Sequence, residues 1–287
     1  MTVQNIANGL LQGGVFITVA LGLALVFGTL RIMNLAHGAL LVGGGYLAYS
    51  LQRDLSLDPF VALAIVVPVF FVGGFVLQRY YLSYVMDHSA EAVLVATFGV
   101  ALVLQSTYAQ IFTSDVRSLR ADYVSGGVNF LGIQAQVIDL VSLAFGITCA
   151  LAMYLALTRT RAGAAVRATA IDPEMASAIG IDVRRVFSVT LGIGAALAAA
   201  GGLIVIGLGQ SLSPSGGVEW LVKSFAVVVL AGVGSVPGVV VAGFTLGLVQ
   251  VAGTQVVGNS YSNLIVYGAL FVFLAVRPTG LFGEKSA

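Results

Sequence analysis

Asp172-Pro173-Glu174 is the most chemically pointed stretch of this chain. Asp172 is an N-cap residue type, Pro173 suits a first helical position, and Glu174 places an acid in the first turn. Met175, Ala176 and their neighbours carry the pattern on, and Gly180 stands where a helix-terminating glycine belongs. The spacing predicts a short helix over 173–180 with an apolar face of small residues. Such a face fits a groove on a soluble partner. A helix lying on the lipid surface or against its own bundle is the other reading. Arg161, Gly163 and Arg167 precede this helix. The arginines serve either a partner contact or only the topology of the chain.

A second constellation is made of interruptions. The stretch 27–38 (FGTLRIMNLAHG) breaks one apolar run, and 231–238 (AGVGSVPG) breaks another in the other half of the chain. Paired breaks of this kind point to a substrate pathway built from discontinuous helices near the midplane of a membrane. Asn34, His37 and Gly38 belong to the first break, and Gly232, Gly234, Ser235 and Pro237 to the second. Glycines that only let helices pack closely are the alternative for any one of these positions.

Other chemistry is excluded or unsupported. The 231–238 stretch has no lysine, so it is not a phosphate-binding loop, and no ATP site is expected in this chain. His37 and His88 stand far apart, so no metal site is expected. No serine, histidine and acid can be grouped for catalysis. A lone histidine in an apolar helix is most simply a hydrogen-bonded structural residue. Lys223, beside Trp220, reads as an interfacial residue near the outer surface. Cys149 sits in an apolar run and reads as a small hydrophobe.

The elements that must hold these residues follow from composition. Of 287 residues, 59% are hydrophobic and 9% charged, and the mean hydropathy is +1.02. Ordinary soluble domains carry about 25% charged residues. A net charge of +1 without a basic tract excludes a nucleic-acid binder. Charge-free windows at 1–30, 32–52, 60–78, 92–114, 140–158, 186–218 and 224–276 each admit at least one pass of about 20 residues. Their runs are continuous rather than alternating, so they predict helices and not a barrel.

The expected fold is therefore an all-α integral membrane protein. It is a polytopic bundle of eight or nine membrane segments, with discontinuous or re-entrant helices, in a single domain over 1–287. Five arginines between 159 and 185 place that loop in the cytoplasm. The last window is broken at 232–238 and 258–260. Three passes through it give 9 basic residues inside and 4 outside, against 7 and 6 for two passes. The C-terminus is then cytoplasmic and the N-terminus periplasmic. The longest outside loop, about 115–139, holds a candidate hairpin around Gly126-Gly127, with a plain surface loop as the alternative.

Several of these stretches together resemble a known family. Residues 32–38 (IMNLAHG), 160–170 (TRAGAAVRATA), 172–181 (DPEMASAIGI), 222–238 (VKSFAVVVLAGVGSVPG) and 277–283 (RPTGLFG) resemble the permease subunits of branched-chain amino-acid ABC importers. The matches run in family order from about residue 10 to 283. The resemblance implies a subunit in a bacterial inner (plasma) membrane, surrounded by lipid. It implies a second homologous permease, two cytoplasmic ATPases and a periplasmic substrate-binding protein as partners. ATP and Mg would sit on the ATPases and no cofactor on this chain, which would not itself be an enzyme. The helix 173–180 would be the coupling helix. Relatives often carry an acid after the His-Gly, where this chain has Ala39. Permeases for urea, amides or aromatic acids therefore stand as the alternative, and a self-sufficient carrier or channel stands behind them.

Overall fold

The computed structural model describes residues 2–86, 88–113, 126–130, 133–208, 212–277 and 280–282. Eight of its helices are long and apolar enough to cross a membrane. A further helix, α2 (His37–Leu55), has 19 residues with more glycine and polar groups, and it lies beside these eight among the described residues. The chain is a multi-pass helical membrane protein, as the charge-free windows require. Lipid offers the backbone no hydrogen bonds, and helices satisfy their own.

Two helices form the centre. α1 (Val3–Leu30) and α9 (Val183–Gly207) are each 83% buried over their most apolar stretch. α1 packs against α6 (Val137–Arg159), α9, α10 (Gly217–Ala231) and α11 (Val236–Val257). α9 packs against α1, α2 and α3 (Pro59–Val76). At the edge lie α5 (Ala90–Phe112), 11% buried, and α12 (Ser262–Val276), whose segment is 6% buried. Between helices in lipid, close packing replaces the hydrophobic drive, so small residues mark the centre. A Cβ on Gly202 of α9 would lie 1.8 Å from the Leu41 carbonyl oxygen of α2, which only glycine permits.

Start and stop signals account for the remaining elements. Asp58 caps α3 by accepting from the Phe60 amide at 2.8 Å, with Pro59 in the first turn. α3 continues through one wide turn, Leu77–Leu82, into α4 (Ser83–Met86), and Ser89 then caps α5. A hairpin is present, but further along than the candidate at 123–130. β1 (Gly127–Phe130) pairs antiparallel with β2 (Ile133–Gln136), Val128 opposite Ala135. The sequence places its turn at Gly126-Gly127, but Phe130 pairs with Ile133 and Gly127 opens the first strand instead. Alternation over 123–130 does not reveal that the pairing strand lies further on. The Gln4 side chain of α1 bonds both backbone groups of Gln134 at 2.8 Å, tying the start of α1 to this hairpin. The expected outside loop ends at Gln136, where α6 begins. Its stretch 114–125, with Arg117 and Arg120, lies outside the described residues.

The expected breaks in the last window fall where the glycines stand. α10 ends at Ala231, α11 runs from Val236 to Val257, and α12 begins at Ser262. The loop between α6 and α9 holds two helices, α7 (Arg161–Ile171) and α8 (Pro173–Ala178). The sequence reading finds only the second. α7 carries Arg161 and Arg167 among alanines, with no apolar stripe to announce it.

Candidate translocation and coupling sites

The first break is a return into the bundle. Arg31, in a left-handed conformation (φ 54°), ends α1 and turns the chain. Residues 32–36 then run back non-helically, with Ile32, Asn34 and Ala36 buried. Asn34 starts α2. Its Oδ1 accepts from the Ala36 amide at 3.0 Å and its carbonyl from the His37 amide at 3.2 Å. His37 is 1% exposed, and its Nε2 lies 2.9 Å from the carbonyl oxygen of Val19. A carbonyl only accepts, so Nε2 carries the proton. Val19 lies eleven residues before the end of α1. That distance is about 16 Å along the helix, so α2 starts at depth and not at the bundle surface.

A third helix meets this point. The hydroxyl of Ser224 on α10 lies 3.3 Å from the same Val19 oxygen. The start of α2 also abuts the start of α10. A Cβ on Gly38 would lie 1.9 Å from the carbonyl oxygen of Gly217. Asn34, His37 and Gly38 are thus brought together, and α10 closes the group. The 28 end of this break meets the 232–237 stretch, while its 38 end meets Gly217, preceded by the turn Pro214–Gly216. The Ser-Pro-Ser-Gly-Gly run at 213–217 is the signal that reveals it, hidden inside a long apolar window. Replacing His37 with leucine is expected to lower stability by about 0.5–1.5 kcal/mol, because one of the hydrogen bonds to the Val19 oxygen is lost while Ser224 remains. His37→Gln, which keeps a donor, is expected to lose less. Thermal unfolding in detergent measures both, and equal melting of His37→Leu and wild type would contradict this role.

Gly232, Gly234, Ser235 and Pro237 form an end turn between α10 and α11, not a mid-depth break. Gly232 (φ 89°) and Gly234 (φ 78°) adopt conformations that glycine favours. Ser235 accepts from the Gly238 amide at 3.0 Å and caps α11, and Pro237 stands in its first turn. The turn touches the end of α1, where a Cβ on Gly28 would lie 2.7 Å from Gly234 Cα. Leu281 and Phe282 donate to the carbonyls of Leu230 and Ala231 at 2.8 and 3.1 Å. The two C-terminal sequence signatures therefore pack on one another. Arg167 of α7 lines a small cavity of about 70 Å³ with Gly28, Thr29 and Gly234.

α7 and α8 lie at this same end. Asp172 Oδ1 accepts from the amides of Glu174 and Met175 at 3.0 Å each, as its type and position predict. Gly180 closes the helix at φ +90°. Gly163 lets α7 turn against α6, since a Cβ there would lie 2.2 Å from the Ala156 carbonyl oxygen. Arg161, Arg167 and Glu174 are exposed. Ala176 is buried and does not face outward. The exposed large apolar side chains here are Ile171 at the end of α7, Met175 in α8 and Ile179 just past it, 76%, 62% and 70% exposed. Beside α8 a cleft of about 610 Å³ is lined by Ser83, Met86, Glu174, Asp182 and Arg184.

Lys223 departs from its reading as an interfacial residue. It is 6% exposed, and its Nζ lies 2.6 Å from Glu219 Oε1. Its backbone precedes Ser224 and so lies level with the His37 joint, while its side chain lines a cavity that the exposed loop residues Asn259 and Ser260 also line. Sequence alone shows neither that burial nor the depth.

A bundle of apolar helices entered by a discontinuous segment between α1 and α2 defines the class, a polytopic helical membrane protein. The chain belongs to the branched-chain amino acid transport system permease component family, whose profile matches residues 5–275. The high-affinity branched-chain amino acid transport system permease protein BraD of Pseudomonas aeruginosa is 28% identical, covering 98% of this chain and 95% of its own. LivH of Escherichia coli K12, described likewise, is 27% identical over the same shares. A probable branched-chain amino acid transport permease of Methanocaldococcus jannaschii is 27% identical over 96% of this chain and 91% of its own. Among solved structures, PsaBC from Streptococcus pneumoniae in complex with Fab aligns over 96% of this chain and 93% of that one, at 16% identity and a TM-score of 0.48.

Proposed function

We propose that this chain forms the translocation pathway of an ABC importer for branched-chain or other hydrophobic amino acids. Family membership over 5–275 supports the substrate class, since similar permeases bear that description. The observation that carries the coupling assignment is the exposure of Ile171 at the end of α7, Met175 on the capped helix α8 and Ile179 just past it. Large apolar side chains held at such an end suit a groove on another protein. ATP and Mg are assigned to two cytoplasmic ATPase subunits, and this chain is not itself an enzyme. A second permease subunit completes the membrane part, and a periplasmic binding protein delivers the substrate.

Orientation follows the basic residues. Arg159, Arg161, Arg167, Arg184 and Arg185 gather at the α7–α8 end, which we assign to the cytoplasm of a bacterium with the chain in its inner membrane. Residues 280–282, packed beside the Gly232 turn, lie at that end too. The hairpin and the start of α1 are then periplasmic. In this frame α8 bears on α7, and α7, through Arg167, faces Gly28 and Gly234. A push on the coupling helix thus reaches the ends of α1 and α10, whose other contacts hold the His37 joint. Affinity purification in mild detergent with mass spectrometry tests the assembly. An ATPase and a second permease are expected to co-purify. A chain that stays alone after cross-linking in intact cells would contradict the reading.

A further inference from the structure

Among the described membrane segments, one ion pair reaches the depth of the His37 joint. Lys223 and Glu219 lie one helical turn apart on α10, and the ammonium is also 4.7 Å from the centre of the Trp220 ring. The lysine is buried, while the Glu219 side chain is 45% exposed. Placing such a pair inside a bundle is costly, and apolar residues of similar size pack as well or better. Ionisable groups at membrane depth mark substrate and ion paths.

The surroundings fit a path. The pair lines a cavity of about 440 Å³ together with Gln12, Gln250, Thr254 and Asn263. Known ligand pockets span about 300–1,000 Å³. A second cavity of about 640 Å³, lined by Gln4, Asn8 and the β2 residues Gln134 and Gln136, shares Gln12 and Val251 with the first. Gln4, Asn8 and Gln12 recur every four residues and so share one face of α1. A polar lane therefore runs from the hairpin end down α1 to Lys223. At its side Gln250 donates to the Ser262 hydroxyl and leaves its buried Oε1 without a hydrogen-bond partner.

We propose that Glu219 and Lys223 recognise the head group of a zwitterionic α-amino acid on its way through the bundle. Lys223 takes the carboxylate, and Glu219, with Gln250 Oε1, takes the ammonium. One ion pair opens and two form, so no net charge enters the bundle. The ligand's apolar side chain is left to Val251 and the apolar helix faces. This assignment rests on the amino-acid reading above and adds to it the groups that would recognise the substrate.

The test uses the assembled transporter in proteoliposomes with its binding protein, ATP and radiolabelled leucine. Lys223→Met and Glu219→Gln are each expected to cut uptake at least tenfold. The double swap Glu219→Lys with Lys223→Glu restores the ion pair but reverses its order. It is expected to melt near wild type and still fail in uptake. Gln250→Leu leaves the pair untouched and is expected to raise the KM for leucine severalfold. Uptake restored by the swap, or wild-type uptake in both single variants, would overturn the assignment, and so would an unchanged KM in Gln250→Leu. Wild-type transporter that moves no amino acid at all would overturn the amino-acid reading itself, and the recognition role with it.

Discussion

A Gly38→Val substitution is expected to remove most of this protein from the folded state and to abolish transport. A Cβ at this position would stand 1.9 Å from the Gly217 carbonyl oxygen, and that oxygen belongs to backbone. No side chain can rotate away to make room. Relief requires α2 and α10 to separate, which pulls on the bond between His37 and Val19 and on the Ser224 contact. Overpacking a core costs about 1–3 kcal/mol, and the upper end applies where backbone meets backbone. The level of folded protein in the membrane and its melting temperature measure the effect. Gly73→Val is the control, because a Cβ there meets nothing within 4 Å. Equal behaviour of the two variants would show that the contact between α2 and α10 is not tight.

The second large effect is expected at the coupling helix. Met175→Asp with Ile179→Asp should reduce ATP-driven uptake at least tenfold while leaving the protein in the membrane at its normal level. Both side chains point outward and are well over half exposed, so the fold loses little. A large residue central to an interface contributes about 2 kcal/mol or more, which is more than tenfold in affinity. Charging Ala176 is a poorer experiment. It is buried at 2% exposure, and an aspartate there would disturb α8 itself. Changing Gly180 is confounded in the same way by its φ of +90°. The paired measurement is uptake against membrane abundance. Normal uptake in the double variant would remove α8 from the ATPase interface.

How much was legible differs by residue. The spans follow from where the 25 charges stand, because a membrane tolerates few charges and helices need none. The caps at Asp172 and Gly180 follow from local chemistry and appear where the pattern puts them. The hairpin's existence was legible, but its register was not, since pairing depends on a strand outside the stretch that was read. The break at 27–38 was legible as a break. Its contact with Gly234 joins the two breaks at Gly28, but the second contact was not legible, because only the packing shows that Gly217 meets Gly38. The outward face of α8 was misjudged for the same reason. Spacing shows that a helix has an apolar side but not which side its neighbours cover. The burial of Lys223 and its pairing with Glu219 were not legible, because proximity to Trp220 in sequence carries no information on packing.

The central claim is that this chain moves branched-chain amino acids only when ATP is hydrolysed by partner subunits. The direct measurement is leucine accumulation in proteoliposomes holding this chain with its co-purifying permease and ATPases, with the binding protein on the opposite face. The account predicts accumulation that requires ATP on the ATPase side and disappears when the ATPases cannot hydrolyse it. Leucine entry through this chain alone, without ATP or partners, would contradict it.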